Sequence, residues 1–428
     1  MKKAYETLRL KYCCYINPSK SNIIGIPEDS LVSFLPMEKV GEDGSLDLSE
    51  SRPIKDVWSG FTYFEDLDTI VAKITPCFEN GKGAFCTNLI NGIGFGSTEF
   101  HVLRPKQFTD PKYLFYSTRM DKFKAVGKAA MQGVAGQQRV PTSYLNEVRV
   151  WRPNLATQHA IATFLDRKTA QIDALIEKKQ RQIELLQEKR TALISQAVTK
   201  GLNPNVKMKD SGVEWLGEIP EHWGVSRIKL ESIRISKGTT PSTMGMELSD
   251  FGIRFLKAEN ITLDGISDKP EFFIDQLTNA RLSRSQLRCS DILVVIAGAT
   301  TGKSSVIDKS FLPANLNQAI AYIRLKNVAY STFLQTWISL PFVQDQIWQA
   351  AVQSAQPNLS MEDLGNLVSV IPGNNELPGI TRYIKKVLNE IKDIESRIFE
   401  SIKLLQEHRT ALISATVTGK IDVRDYTE

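Results

Sequence analysis

Apolar positions recur along two stretches of the chain with the 3–4 spacing of a coiled-coil seam. In the first stretch Leu165, Ile172, Leu186 and Leu193 hold one heptad position. Thr169, Ile176, Ile183 and Ala197 hold the other, with Lys179 and Arg190 interrupting. The second stretch repeats the seam with Ile384, Ile391, Ile398, Leu405 and Leu412. No Gly or Pro falls between 155 and 200; Pro153-Asn154 offers a start and Gly201 a stop, as Pro378 and Gly419 do for the second stretch. The pattern predicts two long helices, the first ~65 Å in length. Neither helix can bury its stripe alone, and each is the other's partner at high effective concentration. An antiparallel coiled coil is therefore expected. The alternative, each helix packing on its own globular part, is disfavoured by the charged flanks Lys178, Lys179, Arg181, Glu184, Glu188 and Lys189.

Outside these stretches the apolar residues come in short β-rich runs, such as Ile70 in Asp68-Thr-Ile-Val, Phe100-His-Val-Leu-Arg, Ile292-Leu-Val-Val-Ile and Ala321-Tyr-Ile-Arg-Leu, followed by short helical patterns near 111–124 and 331–353. The fold class expected is α/β (α+β): two pseudo-symmetric globular domains separated by two long helices. The boundaries read as a first globular domain 1–153, a first spacer helix 154–203, a connector 204–224, a second globular domain 225–372 and a second spacer helix 373–428. Pro, Gly and Asn mark the connector, while Trp215, Leu216, Ile219 and Trp223 predict that it docks on a surface.

An internal repeat supports this division. Residues 183–200 read IELLQEKRTALISQAVTK and residues 402–419 read IKLLQEHRTALISATVTG, identical at thirteen of eighteen positions. Weaker matches run upstream: Asp68-Thr-Ile-Val with Asp291-Ile-Leu-Val, Gly81-Lys82 with Gly302-Lys303, Ala129-Ala-Met-Gln132 with Ala350-Ala-Val-Gln353, and Arg9-Leu-Lys11 with Arg227-Ile-Lys229. The helices match closely and the globular parts hardly at all. Two divergent heads on one duplicated scaffold point to two ligands, or to two parts of one.

Composition changes the picture only a little. Among 428 residues, 53 Lys and Arg against 48 acids leave a formal charge of +5, so contact with nucleic acid would use local basic patches. Five cysteines form no CxxC pair, which speaks against a disulfide framework and for a reducing cytosol. The apolar run Ile292–Ala299 is too short to span a bilayer, and the lysines of the start are followed by no apolar region of a signal peptide.

The candidate chemistry is that of binding. In the first globular domain Lys82, Lys128, Gln132, Gln137, Gln138 and Arg139 are candidate DNA contacts. In the second they are Lys237, Thr240, Lys257, Asn260, Lys303, Gln353, Gln356 and Asn358. Gln and Asn can bond adenine edges bidentately, Arg and Lys can bond guanine, and Lys also neutralises phosphate. Residues 297–304, AGATTGKS, fit a loose phosphate-binding loop. That chemistry needs a helix directly after the lysine, whereas Ser305-Val-Ile-Asp reads as strand and turn ahead of Pro313, so a hairpin turn is expected. No HExxH, no GxSxG and no metal-ligand spacing occurs, and Glu177-Lys178-Lys179 lies on a long helix rather than in a nuclease context.

Two variable heads each followed by a repeated helix, the connector Met208-Lys-Asp-Ser-Gly-Val-Glu-Trp-Leu-Gly-Glu-Ile-Pro-Glu-His-Trp223, the doubled LLQE(K/H)RTALIS motif and Gln158-His-Ala-Ile161-Ala162-Thr-Phe164-Leu165 resemble the specificity subunit of Type I restriction–modification systems. The second helix departs from the last motif, with Leu377, Thr381 and Tyr383 opposite Gln158, Ala162 and Phe164. The resemblance implies that each head is a target-recognition domain reading one half of a split, asymmetric sequence in double-stranded DNA, and that the helices fix the gap. It implies a subunit with no catalytic centre, metal or cofactor of its own, in a prokaryotic cytoplasm. Its partners would be two methyltransferase subunits, which use S-adenosylmethionine to methylate adenine, and through them restriction subunits, which use ATP and Mg. A coiled-coil adaptor joining two protein partners is the competing reading.

Overall fold

The structure, a computed structural model, describes residues 6–134, 136–262, 265–351 and 357–423. It divides into two units, one formed by 1–181 with 398–428 and the other by 182–397. Each unit holds one globular head and a share of both long helices, Leu155–Lys200 and Leu377–Val417.

In the first unit a four-stranded antiparallel sheet runs in the order Cys14–Ile16, Phe100–Pro105, Thr69–Ala72, Gly83–Phe85. Thr69–Ala72 is buried along its whole length, the pattern of a strand covered on both faces. A second sheet runs Ser51–Pro53, Leu31–Leu35, Ile93–Gly96, Thr62–Glu65, its middle pair parallel. Helices Pro111–Thr118 and Asp121–Ala129 follow. Asp110 caps the first, its carboxylate accepting from the Tyr113 amide, with Pro111 at the first helical position.

The second unit repeats the plan. One sheet runs Ser232–Lys237, Ile320–Leu325, Ile292–Val295, Ser304–Val306. Another joins Phe273–Ile274, Ile253–Leu256 and Ala314–Leu316, again with one parallel pair. Helices Ser331–Ile338 and Pro341–Ala351 follow. In each unit a short antiparallel pair closes the head: Thr7–Arg9 with Arg149–Trp151, and Gly224–Arg227 with Val368–Ile371. The heads are thus mixed α/β, as the short apolar runs predict.

The long helices pair antiparallel, and each unit shows it. In the first, Ile161 and Leu165 from the start of one helix share a core with Ile413 and Val417 from the end of the other. Asp173 also accepts from Arg409 at 2.9 Å. In the second unit Ile194 and Val198 share a core with Leu377, Ile380 and Ile384. The expected seam residues Leu165, Ile172, Ile183, Ile384 and Ile391 are buried, and Ile176, Leu186, Leu193, Ile398, Leu405 and Leu412 are half-buried. The helix ends do not stand free of the heads: Leu165 packs with Tyr113 and Leu114, and Leu377 with Trp337. Pairing and head packing therefore coexist.

The connector docks within the second unit. Trp223 is buried and donates its indole N–H to Glu376 at 2.7 Å, while the Trp215 ring lies 5.4 Å from that of Phe342. Among the described residues no helix is long and apolar enough to cross a membrane.

Candidate nucleic-acid interface

Four candidates of the first head, Gln132, Gln137, Gln138 and Arg139, lie on one hairpin loop. Gln132 and Arg139 exchange backbone hydrogen bonds, the Gln132 amide giving to Arg139 at 3.0 Å and the Arg139 amide to Gln132 at 2.8 Å. The far side of this loop is pinned to 74–75, with an isolated bridge from Ile74 to Arg139, the Thr75 amide bonded to the Gln138 carbonyl, and the Gln138 amide bonded to Thr75 Oγ1. Gly133 and Gly136 supply left-handed backbone at φ +124° and +84°. Gln132, Val134 and Gln137 are exposed.

The three cationic candidates of this head already have partners. Arg139 clasps Glu99 through Nε and Nη2, the shortest contact being 2.8 Å. The guanidinium holds the Glu99 carboxyl below the ordinary carboxylate range, and Glu99 in turn raises Arg139. Lys128 pairs with Glu79, and half-buried Lys82 donates to the Met37 carbonyl at 3.1 Å.

In the second head the candidates scatter. Lys237 is exposed at the end of its strand, and the Thr240 carbonyl accepts from both the amide and the hydroxyl of Thr243. Lys257 lies with Nζ 3.4 Å from the Phe272 ring centre, a cation–π contact. Its amide donates to Asn260 Oδ1. Asn260 is buried and gives its own amide to the Ser267 and Pro270 carbonyls, so it ties a loop together and presents no edge outward. Asn358 is exposed beside a bridge to Ala297. Gln353 and Gln356 lie outside the described residues.

Lys303 sits in the turn between Ile292–Val295 and Ser304–Val306, where the Gly302 amide bonds the Val295 carbonyl and the Val295 amide bonds the Lys303 carbonyl. A strand follows the lysine, so no helix N-terminus faces a phosphate there. Among the described residues no group of three or more His, Cys, Asp or Glu is placed to hold a metal ion.

One cluster has no counterpart among the sequence candidates. The Arg52 guanidinium lies 3.7 Å from the Phe34 ring centre, and Lys20 reaches over the rings of Trp58 and Phe95. Trp58 is part-exposed, so this face of the first head carries cations stacked on aromatic rings. The sequence carries no local signal for it, because the contacts join Arg52 with Phe34 and Lys20 with Trp58 and Phe95, residues far apart along the chain.

Comparison with known proteins agrees with this architecture. Residues 78–185 match the family model "Type I restriction modification DNA specificity domain". The chain is 38% identical over 161 residues to the Type I restriction enzyme EcoAI specificity subunit of Escherichia coli, covering 37% of this chain. It is 34% identical over 167 residues to the EcoEI specificity subunit of the same organism. These matches span about a quarter of each relative's length, 26% and 27%. A longer match, 24% identical, covers 77% of this chain and 74% of the MjaVIII specificity subunit of Methanocaldococcus jannaschii. Among solved structures, a chain from work on complex assembly and conformational transition of the type I R-M system aligns at TM-score 0.75 and 14% identity, over 98% of this chain and 99% of that one. The HsdS subunit from Thermoanaerobacter tengcongensis aligns at TM-score 0.54 and 15% identity, over 98% of both. With the doubled α/β heads and the antiparallel helices, the chain is thus similar to the Type I restriction–modification specificity subunits, matching the DNA specificity domain model over residues 78–185 and sharing the fold of the solved subunits.

Proposed function

We propose that this chain is the DNA sequence-recognition subunit of a Type I restriction–modification complex. It reads a two-part, non-palindromic target with one head per part, the long helices set the gap, and it contributes no catalytic group. Two adenine methyltransferase subunits dock on it, and restriction subunits assemble through them. S-adenosylmethionine belongs to the methyltransferases, and ATP and Mg to the restriction subunits.

The observation that carries this reading is the repeated head plan with divergent surfaces. A single head reading a few base pairs discriminates weakly, because each base pair is worth only ~1–3 kcal/mol. Two heads on one stiff scaffold combine their energies only where both parts of the target lie at the right spacing and helical phase. Unlike heads, with a pinned hairpin in one and stacked Lys257 in the other, give unlike halves.

Long-read sequencing of modified adenines in cells carrying the chain and its methyltransferase tests the reading. The expected result is one split motif whose two halves differ. In vitro, affinity of the reconstituted complex for that duplex should fall steeply between 50 and 200 mM salt, as phosphate contacts require. A complex that assembles but methylates no defined motif, and binds DNA without salt dependence, would instead fit the adaptor reading.

A further inference from the structure

We propose that the hairpin tip of the first head, through Gln137 and Val134, reads base edges in the major groove of one half-target, and that Arg139 is a positioning residue rather than a DNA contact. This rests on the DNA-recognition reading above.

The stem of the hairpin is held on several sides. Gln132 and Arg139 close it, Thr75 bonds both the amide and the carbonyl of Gln138, and Glu99 clamps the Arg139 side chain. Just beyond Arg139, the Val140 carbonyl accepts from His101 Nε2 at 2.8 Å. The tip is folded tightly as well: the Gln137 amide returns to the Val134 carbonyl at 3.0 Å, and a Cβ on Gly133 would lie 2.9 Å from the Gln137 carbonyl oxygen. A reading element must be held in place before it meets its ligand, and this one is.

The chemistry of the tip selects its ligand. Residues 132–138, QGVAGQQ, contain no carboxylate, so nothing there repels phosphate. Val134 is 74% exposed and Gln137 is exposed beside it. A glutamine amide matches the adenine N6 and N7 edge, and a valine methyl matches the thymine methyl. A narrow loop closed at its base by one Gln132–Arg139 bridge fits within the ~12 Å width of the B-DNA major groove. A protein-docking hot spot would instead show an aromatic or arginine anchor. The tip has none, because the nearest arginine is tied back to Glu99.

The test uses the full chain with its methyltransferase partner and reads the methylated motif. Gln137→Ala and Val134→Ala lie on exposed positions and leave the core untouched. The expected result is degeneracy at one or two positions of one half-target, with about tenfold lost discrimination there and the other half unchanged. Glu99→Gln should relax the same half, and the swap Glu99→Arg with Arg139→Glu should restore it. Were Arg139 a phosphate contact, Glu99→Gln would tighten DNA binding with the motif intact, and the swap would weaken it. That outcome, or unchanged motifs in both tip variants against a wild type that reads a split motif, overturns the inference. A wild-type complex with no defined motif overturns the DNA-recognition reading itself.

Discussion

Arg104 grips the buried carboxylate of Asp68 with two parallel hydrogen bonds, Nε to Oδ1 at 2.9 Å and Nη2 to Oδ2 at 2.7 Å. The second head repeats the clamp between Arg324 and Asp291 at 2.8 and 2.7 Å. In both, the aspartate also accepts the amide three residues earlier, Glu65 or Arg288. The residue just before it, Leu67 or Ser290, stands in left-handed backbone at φ +70° or +71°. One sheet strand thus begins the same way twice: a strained turn held by its own aspartate, which a fork-shaped guanidinium from the neighbouring strand completes.

Removing the aspartate's charge takes away the fork's acceptor, although Arg104 keeps its pair with Glu65 at 3.0 Å. Asp68→Asn and Asp291→Asn should each destabilise the chain by about 2 kcal/mol, below the usual cost of breaking a buried pair because the arginines remain partly solvated. Calorimetry should show a fall in Tm of about 5 °C for either variant. Arg104→Lys should not rescue the fork geometry, since an ammonium is a point charge.

The helix seam gives a sharper contrast. Leu165 is fully buried and Leu175, on the same helix, is 47% exposed. Leu165→Ala should cost ~2–4 kcal/mol through lost burial and the cavity left behind, and Leu175→Ala under about 0.5 kcal/mol. Urea unfolding of the two variants beside the wild type measures the difference.

The seam is also where the sequence was most legible, because a heptad needs only one helix's own periodicity. Even there the second helix hides half of its pattern. Ile402 and Thr416 are buried and Arg409 is half-buried on one line, yet only an isoleucine among them looks apolar. Arg409 becomes a seam residue by reaching Asp173 at 2.9 Å. The heads were legible as strands but not as sites. Asn260 reads like a base-contacting amide and is in fact a buried loop tie, a distinction that depends on Ser267 and Pro270 folding back over it. The Arg–Asp clamps join residues 36 and 33 positions apart, beyond any local pattern, although the Asp68 and Asp291 motifs marked one half of each.

Thiol reactivity should divide by burial. Cys13, Cys14 and Cys86 are buried and Cys289 is exposed. Burial pushes the Cys14 thiol up to about 12 and raises Cys13 and Cys86 too, so none of the three offers a thiolate at pH 8. Alkylation with iodoacetamide followed by mass spectrometry should label Cys289 first and leave these three protected until the first unit unfolds.

Acid should loosen the first head through His101. Its Nε2–H donates to the Val140 carbonyl at 2.8 Å, and its Nδ1 accepts from Asn17 at 3.3 Å, an arrangement that needs the neutral ring. Burial lowers its pKa below the ordinary 6.5, and nearby Lys73 lowers it further. Because the folded value lies beneath the unfolded one, the unfolded chain binds the extra proton first as pH drops. The stability this ring contributes is therefore whole above ~6.5 and declines as pH falls through the folded value. Wild type should lose stability across that window more steeply than His101→Gln, as followed by thermal unfolding at a series of pH values.

The role proposed for the helices can be broken by length alone. Seven residues inserted into both helices, at sites facing each other across the seam, preserve the 3–4 register and add ~10 Å of coiled coil. That is roughly three base pairs at 3.4 Å each. The same three base pairs rotate duplex by about 100°, given ~10.5 base pairs per turn, whereas a heptad returns the coiled coil to the same face. Distance and phase then disagree, so the methylated motif should show a longer gap at reduced efficiency. Four residues in one helix only should cost more, because they turn its apolar line off the partner. Methylome sequencing that returned the original gap at full efficiency from the seven-residue variant would remove the helices from the measurement of spacing and leave that task to the heads alone.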